Sequence, residues 1–441
     1  MSRLISMLLC VSMLAVFVTS CGGDTTEEAP SSAAPSTDSV DPDKPYAGTT
    51  LKWLTWSSQW VTSICDRLDE FYEETGITVE YEQLSNDDLA SKTAVVMGAG
   101  GKDVDVFNFR TFMHTGMYVE NGWCEPLNSY FEDDPDFDYA DYFDVARQLS
   151  EVDGTCYAVP VNSEQMVLYY NTAMFEKAGL TSPPETWEQM VEYAAKLNDP
   201  ENGVYGITTR GDGNASVVLW IALLRAYGGD YFVDGKATIN SEAAIKAIEM
   251  YKQLLEYCPP GYLSKNWSET SDDFAQGIAA MRFDGDAQYT WAVDDESSLV
   301  ADDVEFAVLP RGDVKASTTT SVWGMAISSG SENKGAAWEF IRWCTDKARD
   351  AEIAMEGHFS ARSSTWENEA VREKYPASLI EAVVESYDIT DGSPLPVITY
   401  SAEGRSIIGD VLALAWQGED YRAALDEANE EFQELIDYDF K

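Results

Sequence analysis

Glu151-Val152-Asp153-Gly154-Thr155-Cys156-Tyr157-Ala158-Val159-Pro160-Val161-Asn162-Ser163-Glu164-Gln165-Met166-Val167-Leu168-Tyr169-Tyr170-Asn171 is the stretch that decides the fold. Asp153-Gly154 is a turn signal, and it feeds a short apolar strand ending at Pro160. A second apolar strand, Met166 to Tyr170, follows almost at once. Between them stands a polar tetrad, Asn162 to Gln165, with no room for a long loop. A helix over the following residues can pack through Phe175 and Leu180. Two strands, a polar break and a helix predict a chain crossing between two lobes.

Upstream of this stretch, strands and helices alternate. Leu51 to Trp56 reads as a strand, and a helix follows with Ile64, Leu68 and Phe71 on one face. Thr75-Gly76 ends it at a glycine cap. Ile77 to Tyr81 alternates as a second strand, a helix runs to about Met97, and Val104 to Phe109 is a third strand. Gly98 to Gly101 followed by Lys102 has the wrong spacing for a phosphate loop and reads as a helix stop. This alternation predicts a doubly wound α/β lobe, in which ligands collect at the carboxyl ends of strands. Those ends are Trp56-Ser57-Ser58, Asn108 to Thr111, and the Asn162–Gln165 break.

Downstream a second lobe emerges. Gly203 to Thr208 reads as a strand, Val217 to Tyr227 as an apolar helix, and Asp234-Gly235 as a hairpin turn. Ser241 caps a helix that runs to Leu255. Val304 to Pro310 is a further strand, and Thr318 to Ile327 is the return crossing. Ala336 to Ala348 reads as one helix, and apolar residues at helical spacing (Ile407, Val411, Leu412, Ala415) predict closing helices in the tail.

The chain has 441 residues, more than one core accommodates, which predicts two domains. Its net charge of −48 argues against a nucleic-acid partner or a basic membrane-binding patch. Thirteen Trp and 23 Tyr supply either a well-filled core or stacking platforms. With only His114 and His358 and no Cys-His cluster, neither a metal site nor a cofactor is expected. Beyond Cys10 and Cys21 the chain leaves an odd number of cysteines, Cys65, Cys124, Cys156, Cys258 and Cys344; Cys124 and Cys156 fall in the same expected lobe and can pair, and the pairing among the five stays open.

Met1 to Ser20 carries one early cation and an apolar run, and reads as a signal peptide. Val18-Thr19-Ser20-Cys21 resembles a bacterial lipobox, which makes Cys21 the lipidated first residue. Gly22 to Tyr46 has almost nothing to bury, so a disordered tether with roughly 25–30 Å of mean reach is expected.

Several segments also resemble one family. Tyr157-Ala158-Val159-Pro160, Leu168-Tyr169-Tyr170-Asn171, Phe175 to Leu180 and Pro183 to Gln189 are similar to the central signature of family 1 extracellular solute-binding proteins, the carbohydrate receptors of ABC importers. Phe274-Ala275-Gln276-Gly277-Ile278-Ala279-Ala280-Met281 matches the family's Phe-x-x-Gly-x-x-Ala-Met segment. The chain departs from the pattern at Val104, at Trp323, where glycine is common, and at Gly357 to Arg362, which lacks a proline. The resemblance implies a two-lobed, type II periplasmic-binding-protein-like α/β fold with discontinuous lobes. Residues 47–162 plus 324–376 would form lobe 1, and 163–323 plus 377–441 lobe 2.

The same resemblance implies the site. Glu164 stands where maltodextrin-binding proteins hold sugar with an acid, its bland alternative being a salt bridge across the hinge. Asn108 and Arg110 follow at the third strand end, with Asp286 and Gln288 as further polar candidates. Planar polar groups of this kind engage neighbouring hydroxyls in pairs. Trp56, Trp323, Tyr289 and Tyr400 are the stacking candidates. Trp323 either faces the cleft or plugs a gap behind it, and Asp105 either meets ligand or caps backbone amides.

The expected protein is a monomeric receptor, lipid-anchored to the outer side of the bacterial cell membrane. It captures a carbohydrate by hinge closure, breaks no bond, and delivers it to ABC permease subunits. The competing readings are a cell-surface glycoside hydrolase built on two carboxyls, and the same receptor with a polyol phosphate, peptide or polyamine as ligand. Few arginines or lysines at the strand ends argue against a phosphate.

Overall fold

The computed structural model describes residues 44–440 except Asp133, Pro135 and Asp295. The signal peptide, Cys21 and nearly all of the tether lie outside the described residues. The main sheet has seven strands, which we number β1 (Thr50–Trp56), β2 (Thr78–Leu84), β3 (Val106–Arg110), β4 (Val159–Asn171), β5 (Met281–Gly285), β6 (Val304–Val308) and β7 (Thr320–Ile327). Their order is β6-β4-β7-β3-β1-β2, with β5 also paired to β4.

β1 pairs in parallel with β2 and with β3, as strand–helix alternation requires. The intervening segment divides into two helices, Gln59–Cys65 and Leu68–Thr75, and Gly76 closes the second with a left-handed φ of 73°. Asp105 caps backbone and side chains: Lys52 N donates to it at 2.9 Å and Asn333 Nδ2 at 3.2 Å.

After a short hairpin that pairs Glu151–Val152 with Thr155–Cys156, the decisive stretch is one strand of thirteen residues from Val159 to Asn171, not two strands with a break. The polar tetrad stays extended because β7 pairs with it: Asn162 lies opposite Trp323, Ser163 opposite Val322, Glu164 opposite Ser321, and Gln165 opposite Thr320. Beyond Gln165 the same strand runs between β5 and β6. β4 and β7 therefore carry the chain between two separate cores, at the two crossings the sequence predicts. On β4, the alternation of side chains sends Asn162, Glu164 and Met166 to one face. Ser163 and Gln165 go to the other, where Tyr387 OH meets Ser163 Oγ at 2.8 Å and Thr320 Oγ1 donates to Gln165 Oε1 at 2.9 Å.

One core gathers the buried side chains of β1, β3, the first half of β4 and β7, with Phe340 and Ile341. Another is built around the helix Gly213–Ala226, buried almost all round, with helices Trp187–Leu197, Glu242–Leu255 and Ser401–Trp416. A third, smaller cluster packs Phe359, Trp366, Val371 and Tyr375 against Val167, Tyr169 and Phe306. Helices Gly213–Ala226 and Ser401–Trp416 cross in backbone contact: a Cβ on Gly213 would stand 2.3 Å from Gly409 O. Only glycine permits that approach.

Three further expectations need correction. Gly203 to Thr208 makes only isolated bridges, from Val204 to Asp199, Tyr205 to Ala279 and Thr208 to Arg282, so it is a loop edge and not a strand. The helix expected over Ala336 to Ala348 is two, Lys334–Cys344 and Lys347–Ala354, because Asp346 caps the second through Ala348 N and Arg349 N. Cys124 and Cys156 are not bridged, and Cys65, Cys258 and Cys344 are also free thiols. Cys156 Sγ instead donates to Ala158 O at 3.3 Å. The Asp-Gly hairpin forms as expected, with Asp234 and Gly235 at φ 51° and 72°.

Candidate functional site

A cavity of about 780 Å³ opens over the crossing strands, between the ends of β1 and β3 on one side and the second core on the other. Its floor is two cross-strand pairs, Asn162 with Trp323 and Glu164 with Ser321. These side chains share one face because strand side chains repeat every second residue.

Five of the nine expected residues line this cavity: Trp56, Arg110, Glu164, Gln288 and Trp323. Trp56 ends β1 and lies flat on Trp323, with ring centroids 4.4 Å apart and planes within 6°. Trp60 extends the stack at 5.7 Å from Trp56. Trp323 thus both faces the cavity and fills the space beside β1. Arg110 follows in register, opposite Trp323, with its guanidinium carbon 5.9 Å from that ring's centroid.

The other four are placed elsewhere. Asn108 is fully buried and turned into the sheet: Trp53 Nε1 and Thr55 Oγ1 donate to its Oδ1 at 2.6 and 3.0 Å, and its Nδ2 donates to Gly324 O at 3.1 Å. These bonds tie β1, β3 and β7 together, and Asn108 is not among the residues that line the cavity. Asp286 is completely buried behind the floor, where burial and the nearby Glu164 raise its pKa well above the usual carboxylate range. Tyr289 packs on Tyr375 at 5.3 Å and Phe306 at 6.0 Å in the third core. Tyr400 stands half-exposed against Tyr438, away from the cavity.

Glu164 still reaches the cavity, yet enough protein surrounds it that burial raises its pKa; the Nδ2 of Asn162, donating to Oε1 at 3.1 Å, opposes that rise. Among the described residues it makes no salt bridge across the hinge. Behind it lies a charged cluster. Arg210 clasps Asp284 with both Nε, at 2.9 Å, and Nη2. Arg282 Nη2 approaches the same carboxylate at 3.1 Å and also bonds Gln288 Oε1. Burial alone would raise the Asp284 pKa, but the two guanidiniums hold it below the usual range. This cluster fixes Gln288, whose Nε2 donates to Asp284 Oδ1 at 3.2 Å.

Several lining residues carry no sequence signal that finds them. Arg210, Asp212 and Asn214 come from the loop before, and the first turn of, helix Gly213–Ala226; Arg405 comes from the first turns of helix Ser401–Trp416. Arg405 Nε donates to Asn214 O at 2.9 Å, a contact set by the Gly213–Gly409 crossing. Trp267 and Trp291 form a half-exposed aromatic pair on the cavity wall, with centroids 5.0 Å apart. Trp291 lies in the short helix Tyr289–Ala292, and Trp267 starts a helix capped by Asn266. Two stacking faces and convergent planar polar groups suit a ligand with apolar C–H faces and many hydroxyls.

The family model for bacterial extracellular solute-binding proteins matches residues 58–350. The chain belongs to that family. This solute-binding protein is 29% identical over 290 residues to the mannitol-binding protein of Pseudomonas aeruginosa, covering 64% of its own length and 66% of the relative's. It is 26% identical over 351 residues to the erythritol/L-threitol-binding protein of Mycolicibacterium smegmatis, covering 75% and 73%. Among solved structures, it is similar to an ABC transporter solute-binding protein of Agrobacterium radiobacter K84 in complex with ribitol. There the TM-score is 0.79 at 29% identity, with 89% of this chain and all of the other covered. The fold is the two-lobed α/β architecture of such binding proteins, with β4 and β7 as crossing strands. Among the described residues, no helix is long and apolar enough to cross a membrane.

Proposed function

We propose that this protein is the extracytoplasmic receptor of an ABC importer, capturing a small polyhydroxylated ligand, a sugar or a sugar alcohol, in the cavity over β4 and β7. One observation carries the reading. Glu164, Asn162 and Trp323 sit on the two crossing strands, where contacts from both sides meet, beside the Trp56–Trp323 stack. A ligand touching both walls stabilises only the closed form, which is how a hinge protein converts binding into a conformational signal. The polyol-binding relatives favour a short, flexible ligand over a long oligosaccharide. In this reading Glu164, Gln288 and Arg110 bond hydroxyls and the tryptophans cover C–H faces. No bond is broken, and the closed receptor docks on permease subunits. We further propose that lobe 1 comprises residues 47–162 and 324–376 and lobe 2 the remainder from 163, and that Cys21 carries the lipid anchor of a monomer.

The test is thermal unfolding of the full chain against erythritol, ribitol, mannitol, monosaccharides and maltodextrins. Ligand at 100 times its Kd adds about 2.7 kcal/mol of stability. A shift with one hydroxylated ligand that Glu164→Gln removes supports both the receptor and the site. No shift with any of them rejects this ligand class, and release of a cleaved product from a glycoside would instead support a hydrolase.

A further inference from the structure

Three arginines meet on this cavity from three elements: Arg110 from the end of β3, Arg210 from the loop before helix Gly213–Ala226, and Arg405 from helix Ser401–Trp416. They are not alike. Arg210 is neutralised by Asp284. Arg110 has only Asp87, 3.7 Å away with a side chain 97% exposed, where solvent screens the pair. Arg405 spends its Nε on Asn214 O, and among the described residues no carboxylate lies within ion-pair distance of it.

The carboxylates on the same walls are committed elsewhere. Glu356 is bound by Arg67 at 2.5 Å and by Ser63. Asp212 Oδ1 accepts from Ala215 N at 2.8 Å as a helix cap. Glu164 is held by Asn162. Burial, Arg210 and Arg110 lower the pKa of Arg405 to about 10 while Tyr231 and Asp212 oppose them, so at neutral pH it remains a charged, half-buried cation on the wall of the cavity. A half-buried guanidinium of this kind bonds an anion more strongly than a neutral hydroxyl. A neutral polyol offers hydroxyls to a guanidinium but leaves that charge uncompensated.

We infer that the ligand of this receptor carries a negative charge, a carboxylate or phosphate on a polyhydroxylated body, seated on Arg405 with Arg110 beside it. This rests on the receptor reading and narrows its ligand to acidic sugars or sugar-alcohol derivatives. The scarcity of cations at the strand ends pointed the other way, because Arg210 and Arg405 lie far from those ends in sequence.

The experiment is calorimetric titration of the full chain with matched pairs: glucitol against gluconate, glucose against glucuronate, and glucitol against glucitol phosphate. The expected result is that one acid binds about tenfold or more tighter than its neutral partner, since charge-assisted bonds exceed neutral ones by about that factor. Arg405→Gln should remove that advantage and Arg405→Lys should keep part of it. Which acid wins separates carboxylate from phosphate. Neutral partners binding as tightly as the acids would overturn the inference and leave the receptor standing. An acid advantage that survives Arg405→Gln would also overturn it. No binding by either member of any pair would overturn the inference, and the unfolding series with neutral polyols and sugars would then decide the receptor reading separately. If Arg405→Gln does not fold, added salt decides on the unaltered protein: a Kd for the acid that does not rise with ionic strength rejects the ion pair.

Discussion

Replacing Asp284 with Asn tests whether the cavity rests on a buried charge cluster. Asp284 accepts from Arg210 Nε at 2.9 Å and from Arg210 Nη2, from Gly285 N at 2.8 Å and from Gln288 Nε2 at 3.2 Å, with Arg282 Nη2 at 3.1 Å. Its side chain is fully buried, and those of Arg210 and Arg282 are nearly so. Asn keeps the shape, removes the charge and turns an NH₂ toward groups that are all donors. Breaking a buried ion pair from one side costs about 3–5 kcal/mol. Unfolding entropy near 2.1 cal/mol/K per residue, over about 400 ordered residues, gives roughly 0.8 kcal/mol/K. The expected loss is therefore about 4–6 °C in melting temperature, read by differential scanning calorimetry if the lobes unfold together. Ligand affinity should fall as well, because Gln288 and Arg210 lose the group that orients them. The pH dependence has a definite sign. The folded pKa of Asp284 is depressed, so its contribution is present above the unfolded carboxylate pKa and is lost as pH falls through the folded value. Asp284→Asn should differ most from the parent at neutral pH and converge with it in acid. A melting temperature within about 1 °C of the parent at neutral pH would refute the claim that this carboxylate holds the two guanidiniums in place.

Glu164→Gln should weaken ligand binding by about tenfold or more, the worth of a charged hydrogen bond, as read by calorimetric titration. The same change should raise the melting temperature of the ligand-free protein at neutral pH. Its folded pKa is raised, so ionisation costs stability as pH climbs above the unfolded value, and the gain should vanish near pH 4. Trp323→Ala removes a ring that is 7% exposed and stacked on Trp56; a loss of about 3–5 kcal/mol in denaturant unfolding is expected, with weaker binding. Gly206→Ala should yield little folded protein, because a Cβ there would lie 1.9 Å from Ala194 O on helix Trp187–Leu197; soluble expression at the parent's level would contradict this. Dithiothreitol should leave the melting temperature unchanged, since Cys65, Cys124, Cys156, Cys258 and Cys344 are all free; a fall of several degrees would reveal a bridge.

Periodicity in the sequence by itself determined the α/β alternation, the glycine stop after Thr75, the Asp234-Gly235 hairpin and the two crossings. Each depends on residues near one another in the chain. The resemblance in the crossing region added the two-lobed fold and pointed to Glu164, Trp56, Trp323, Arg110 and Gln288, which do share one cavity. Tertiary structure alone decided the rest. Asn108 had the right type and position at a strand end, but Trp53, Thr55 and Gly324 hold it inside the sheet, off the cavity. Asn162 to Gln165 looked like a break because polar residues interrupt an apolar run; pairing with β7 extends them, and no local pattern reports partners as distant in the chain as Thr320 to Trp323. Arg210 and Arg405 stand 195 residues apart and come together only because Gly213 and Gly409 let two helices touch. A charge's partner is a property of the assembled cavity, and it is there that the character of the ligand is written.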